Sequence, residues 1–115
     1  MGVFNTAYIR FCADFDDRAR DLMMVVKAFC KKHQLTEGSD HLNNYSLVLM
    51  VIFYLQTQCI LHPLYQLQDA PGLEPRIVNG YNFAFCVDRA LLPPLPDNYQ
   101  TLMELFPRLL CVLSL

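Results

Sequence analysis

The chain's 115 residues are enough for one domain with one core, and 54% of them are hydrophobic against 17% charged. A net charge of −2 excludes a broad basic surface for nucleic acid, so any phosphate-binding site has to be local. A mean hydropathy of +0.23 is high for a free-standing soluble domain and implies a permanent partner or a piece of something larger.

Cysteines stand at positions 12, 30, 59, 86 and 111. The count is odd and no Cys-x-x-Cys pair occurs, so zinc and a disulfide framework are poorly supported; reduced, buried thiols and an intracellular setting fit better. The start of the chain lacks a basic stretch followed by an apolar run, so no secretory signal is expected. The opening Met-Gly-Val-Phe-Asn-Thr satisfies the myristoylation pattern, which so short a string often meets by chance.

Residues 3–12 carry Val3, Phe4, Tyr8, Ile9 and Cys12 at three- and four-residue spacing, which predicts a short amphipathic helix. Asn5 and Thr6 interrupt it near its start, where capping is the plain reading. Asp14, Asp16 and Asp17 open a second helix, because carboxylates suit the partial positive charge of a helix N-terminus. Asp14-x-Asp16 also mimics a metal-binding pair, but no nucleotide-binding Gly-Ser loop precedes it. The second helix is expected over 18–33, with Leu22, Val25, Val26 and Phe29 as its apolar stripe. Lys27 and Lys31, four apart, share one face. That face is either solvated or holds a polyphosphate on two point charges.

A polar loop at 37–40 leads to the stretch that organises the chain. Residues 47–55 are apolar without a break, too short for a bilayer, which takes about 20 residues. With its polar flanks, 44–56 predicts a buried helix capped by Asn43 or Asn44 and packed on every side. Tyr45 sits at its polar mouth, where a ring could face a ligand. Beyond it, Pro63 ends regular helix, Leu64, Leu67 and Gln68 suit a short turn of helix, and 70–75 is a loop. Residues 78–85 suggest a small hairpin around Asn79-Gly80. The run 91–96, Leu-Leu-Pro-Pro-Leu-Pro, is rigid and non-helical and predicts an excursion over the surface. Asp97 or Asn98 could cap a last helix through Leu102, Leu105 and Phe106, disturbed at Pro107. The apolar end, 107–115, reads as a tail that docks on something or a chain cut short. His33, His41 and His62 lack ligand-like spacing and read as surface or capping histidines. The fold class is mainly α, a small helical bundle around one buried central helix, with a minor extended element near 78–85.

Taken in order, five blocks resemble the central helical domain of the template-independent RNA nucleotidyltransferases, the poly(A) polymerases and terminal uridylyltransferases. They are Val3-Phe4-Asn5-Thr6; Asp16-Asp17-Arg18 with Leu22; Val26 to Lys31; Asn44 to Gln56; and Asn79 to Phe83 with Leu102 to Phe106. The resemblance covers about residues 2–106 and implies a single partial domain facing a separate catalytic palm, with the nucleoside triphosphate between them. It implies that Asn5 and Thr6 contact the ribose and base edge, that Lys27 and Lys31 hold the triphosphate, that Asn44 helps bind phosphate, and that Tyr45 stacks on the base. Phe29 stands where the family usually has Trp. The implied ligands are ATP or UTP with magnesium and an RNA 3′ end. The palm's Gly-Ser loop and Asp-x-Asp do not occur in this sequence, and Asp14-x-Asp16 falls in the wrong block to replace them. The expectation is therefore a truncated relative without catalytic or metal-binding residues, inactive alone. The alternative is an interaction protein that docks on an intact polymerase or another partner through apolar faces. No membrane association is expected, and the cytoplasm is favoured over mitochondrion or nucleus.

Overall fold

The computed structural model describes residues 2–33, 44–82 and 84–113. The element order is α1 (Gly2–Phe15), α2 (Asp17–Lys32), α3 (Asn44–Thr57), α4 (Leu64–Gln68), β1 (Ile77–Val78), β2 (Tyr81–Asn82), a 3-10 turn (Arg89–Leu91) and α5 (Leu102–Leu113). The fold is mainly α, as expected. Asn43, one of the two candidate caps, the loop at 37–40 and His41 lie outside the described residues.

The first helix runs three residues further than its stripe predicts. Asp14 closes α1 rather than opening α2, and its carboxylate pairs with Arg20 on the surface. The cap of α2 is Asp16, whose extended backbone ends one helix and whose Oδ1 accepts the backbone N–H of Arg18 at 2.9 Å. Asp17 in the first turn and Lys31 and Lys32 in the last complement the helix dipole.

Ala19, Leu22, Met23, Val26 and Cys30 form the buried stripe of α2. This helix packs on α1, α3 and α5. From α3 the core receives Leu47, Val48, Val51, Ile52, Tyr54 and Leu55. The central helix is not enclosed on every side, however. Tyr45, Leu49 and Phe53, one turn apart, remain 42%, 36% and 63% exposed. An apolar sequence on all sides of a helix predicts full enclosure, but among the described residues α1, α2 and the segments after α3 cover only part of its circumference.

At the end of α3 the N–H of Ile60 bonds to Leu55 O and that of Cys59 to Gln56 O. This is a Schellman closure, and Cys59 takes the left-handed position at φ 59° that glycine normally fills. The expected hairpin is present: Ile77 pairs with Asn82 and Val78 with Tyr81, antiparallel. Asn79 and Gly80, at φ 51° and 83°, give the two left-handed residues of a type I′ turn.

The last helix starts later than predicted. Thr101, not Asp97 or Asn98, stands at its N-terminus, with its carbonyl accepting from Leu105 N. Glu104 Oε1 reaches back to the N–H and hydroxyl of Thr101. Thr-x-x-Glu is a capping-box spacing. The helix continues through Pro107 instead of breaking there. Proline costs α5 the bond to Met103 O, but Met103 is 87% exposed, so water can serve that carbonyl. The apolar end is not a free tail over 107–113. Leu105 and Leu109 are fully buried, α5 packs on α2, and Phe106 meets Phe29 edge-on at 5.7 Å.

Candidate functional site

The six residues singled out for nucleotide binding lie on three helices. Asn5 and Thr6 are in the first half of α1, Lys27 and Lys31 are in the second half of α2, and Asn44 and Tyr45 open α3. Those helices touch one another pairwise, so all six belong to one packing unit. Thr6, Lys27, Lys31 and Tyr45 are exposed.

Helix geometry places Lys27 and Lys31 together, one turn apart. Lys27 follows buried Met23 by one turn, at the edge of the stripe that packs against the other helices. Among the described residues neither lysine has an ion-pair partner, whereas Arg18 and Arg20 do. Two unpaired ammonium groups at this spacing suit a polyphosphate. Tyr45 presents its ring on the open side of α3, continuous with Leu49 and Phe53. Among the described residues no three His, Cys, Asp or Glu side chains come together as a metal cage.

A concave region lies apart from these six residues. It is a pocket of about 480 Å³, lined among others by Phe15, Arg18, Cys59, His62, Arg89 and the prolines of 93–96. Arg18 is fully engaged there. Its Nε and Nη2 donate to the two oxygens of Asp16 at 3.0 and 2.8 Å. Its Nη1 donates to Asn98 O, Asn98 Oδ1 and Gln100 O at 3.1, 2.9 and 2.9 Å. The guanidinium holds the Asp16 carboxyl below its ordinary value, first through this hydrogen bonding. His62 is not a surface histidine, as its spacing suggested. It is buried, lies edge-on to Phe15, and donates from Nε2 to Pro93 O at 2.6 Å. Since a carbonyl only accepts, Nε2 carries the proton. Nδ1 has no hydrogen-bond partner among the described residues. Nothing in the local sequence marks His62 as buried, because its partner is 31 residues away.

The thiols divide. Cys12, Cys30 and Cys86 are buried as expected, but Cys59 and Cys111 are exposed, because one caps α3 and the other lies on the outer face of α5. Burial pushes the Cys12 thiol up to about 11 and raises Cys30 as well. Burial likewise raises the Tyr8 hydroxyl, to which Gln56 Nε2 donates at 3.1 Å. No described helix is long and apolar enough to cross a membrane.

No protein-family model matches the chain. It is 32% identical over 112 residues to the speckle targeted PIP5K1A-regulated poly(A) polymerase of Xenopus tropicalis, covering 91% of this chain and 13% of that protein. The fold is similar to the crystal structure of mtPAP in complex with GTP, with a TM-score of 0.77 and 29% identity over 91% of this chain and 23% of that one. It is also similar to a cytoplasmic RNA terminal U-transferase, with a TM-score of 0.73 and 26% identity over 94% of this chain and 35% of that one. These 115 residues thus span about an eighth of the curated relative and up to about a third of the two solved chains. Sequence and fold together identify the chain as matching a fragment of the poly(A) polymerase and terminal uridylyltransferase family.

Proposed function

We propose that this chain supplies the helical half of a nucleoside-triphosphate cleft for RNA 3′-end nucleotidyl transfer and is inactive by itself. One observation carries the reading. The fold follows the GTP-bound relative over 91% of the chain, and Lys27, Lys31 and Tyr45 stand exposed on its three-helix unit. Lys27 and Lys31 hold the triphosphate as paired point charges, and Asn44 is a further phosphate contact. Tyr45 stacks on the base, a contact worth about 1–3 kcal/mol in comparable single-strand sites. Asn5 and Thr6 meet the ribose and base edge. Magnesium would supply activation of the RNA 3′ hydroxyl and stabilisation of the leaving pyrophosphate. No described carboxylate cluster here suits it, so the ion is assigned to a palm domain in the same polypeptide or a partner.

The test is titration of the purified chain with ATP and UTP, followed by primer extension with magnesium and a labelled RNA. Weak binding that is lost in Lys27→Gln/Lys31→Gln, without extension, is the expected result. Extension by the chain alone overturns the inactivity, and binding unchanged in the double variant overturns the site.

A second reading, an interaction protein that docks on an intact polymerase, is favoured by the exposed apolar row Tyr45, Leu49 and Phe53. Leu49→Ser/Phe53→Ser should then abolish capture by the polymerase while leaving nucleotide binding intact. The end of the chain is a poorer candidate for that contact, because Leu109 already fills this chain's own core.

A further inference from the structure

The run 92–96 follows the exposure pattern of a three-fold helix. Leu92 is buried, Pro93 and Pro94 are exposed, Leu95 is half-buried, and Pro96 and Asp97 are exposed. Covalent geometry biases this segment toward polyproline II. Each proline ring fixes φ near −65°. Leu92, Pro93 and Leu95 each precede a proline and are held extended, as Leu92 shows at φ −92° and ψ 148°. Polyproline II has three residues per turn, so residues three apart share a face. Leu92 and Leu95 therefore form the face toward the domain. Pro93 with Pro96, and Pro94 with Asp97, form two faces toward solvent.

The strap is tied at both ends. His62 Nε2 holds Pro93 O at 2.6 Å. Beyond Pro96, Asn98 receives Arg18 and donates from Nδ2 to Gln58 O at 3.0 Å. A polyproline II segment fixed in this way presents two ridges and has already met most of the cost of ordering.

From this geometry we propose that the Pro93-Pro94-Leu95-Pro96 strap is a ligand for a small protein module with an aromatic-lined proline groove, of the WW type. Such grooves clasp the ridges of a preformed polyproline II helix between aromatic side chains. The charges select an uncharged groove over the acidic one of an SH3 domain. Of the two cations beside the strap, Arg18 is paired with Asp16 and Arg89 has its guanidinium carbon 3.9 Å above the Phe15 ring, and the residue after Pro96 is acidic. The proposal stands independently of nucleotide binding, whose residues lie elsewhere.

The probe is an isotope-labelled WW domain that binds Pro-Pro-Leu-Pro peptides, titrated with the whole chain and followed by NMR. Saturable shifts at the aromatic groove are expected. They should weaken about tenfold or more in Pro93→Ala/Pro96→Ala, as for removal of an anchoring pair. Pro94→Glu serves as a second variant in case the first does not fold, because it leaves His62 and Asn98 in place. No shift with the whole chain overturns the proposal, even if a free peptide of residues 89–98 binds. So do shifts that persist unchanged in a folded variant, and so does preferential binding to an SH3 domain run in parallel.

Discussion

Arg18 and Asn98, 80 residues apart, are joined twice: Nη1 of the arginine donates to both the backbone carbonyl and the side-chain oxygen of the asparagine. With Asp16 and Gln100 as further acceptors, the planar guanidinium uses several of its donors at once. Lysine cannot reproduce that fork. Arg18→Lys should destabilise the chain by about 2 kcal/mol, since hydrogen bonds to a charged group contribute about 1.5–3 kcal/mol in total effect when removed. Chemical denaturation at pH 7 checks it.

The Asp16 carboxyl titrates below its ordinary value because of Arg18, so folding and acid are linked. Its contribution is complete above the unfolded value near 3.9 and is lost as pH falls through the lower value it has in the fold. Asp16→Asn should therefore be less stable than the parent at neutral pH and nearly equal to it in strong acid. Melting temperatures between about pH 7 and pH 2 show whether the two curves converge.

Cys59 occupies a left-handed position without being glycine. Relief of that strain favours glycine there, partly offset by the greater freedom of the unfolded chain. Cys59→Gly should raise stability by about 0.5–1 kcal/mol. A lower melting temperature would contradict the Schellman closure described for α3.

The five thiols should react in two classes. Cys59 and Cys111 should be modified rapidly by an aromatic disulfide reagent in the native state, and Cys12, Cys30 and Cys86 only on unfolding. The rise of Cys12 from 9.0 to about 11 has a thermodynamic counterpart. Across that interval the unfolded thiol gives up its proton while the folded one keeps it, so stability should decline as pH climbs. Counting thiols with time and melting the chain at alkaline pH test both points.

Leu109 lies in the core rather than on a free tail. Leu109→Ala should cost about 2–5 kcal/mol, the range for a buried leucine. A change near zero would show that α5 does not dock on α2.

What could be read beforehand followed from local chemistry. The unbroken apolar run gave α3, the apolar spacing gave α2 although Val25 of its expected stripe is exposed, and Asn79-Gly80 gave the hairpin, because each signal is contained in a few neighbouring residues. What could not be read depends on distant partners. His62 is buried because Pro93 returns to it, and Asn98 serves Arg18 rather than a helix. Leu49 and Phe53 are exposed although their sequence is as apolar as the buried side, because composition cannot say how many neighbours will arrive. Thr101-x-x-Glu104 is a local signal as well, a capping-box spacing that competes with the nearby Asp97 and Asn98. The assignment of nucleotide binding to Lys27, Lys31 and Tyr45 drew mainly on likeness: a lysine pair on α2 and a tyrosine on α3 have no shared sequence signature.

The packing of α5 on α2 also orders events on the ribosome. The helices α1, α2 and α3 follow one another closely and can collapse as soon as they are made. The patch of α2 that Leu105 and Leu109 seal stays bare until the chain has grown past the proline strap. The nascent chain is thus most open to misassociation in the interval between the making of α3 and that of α5.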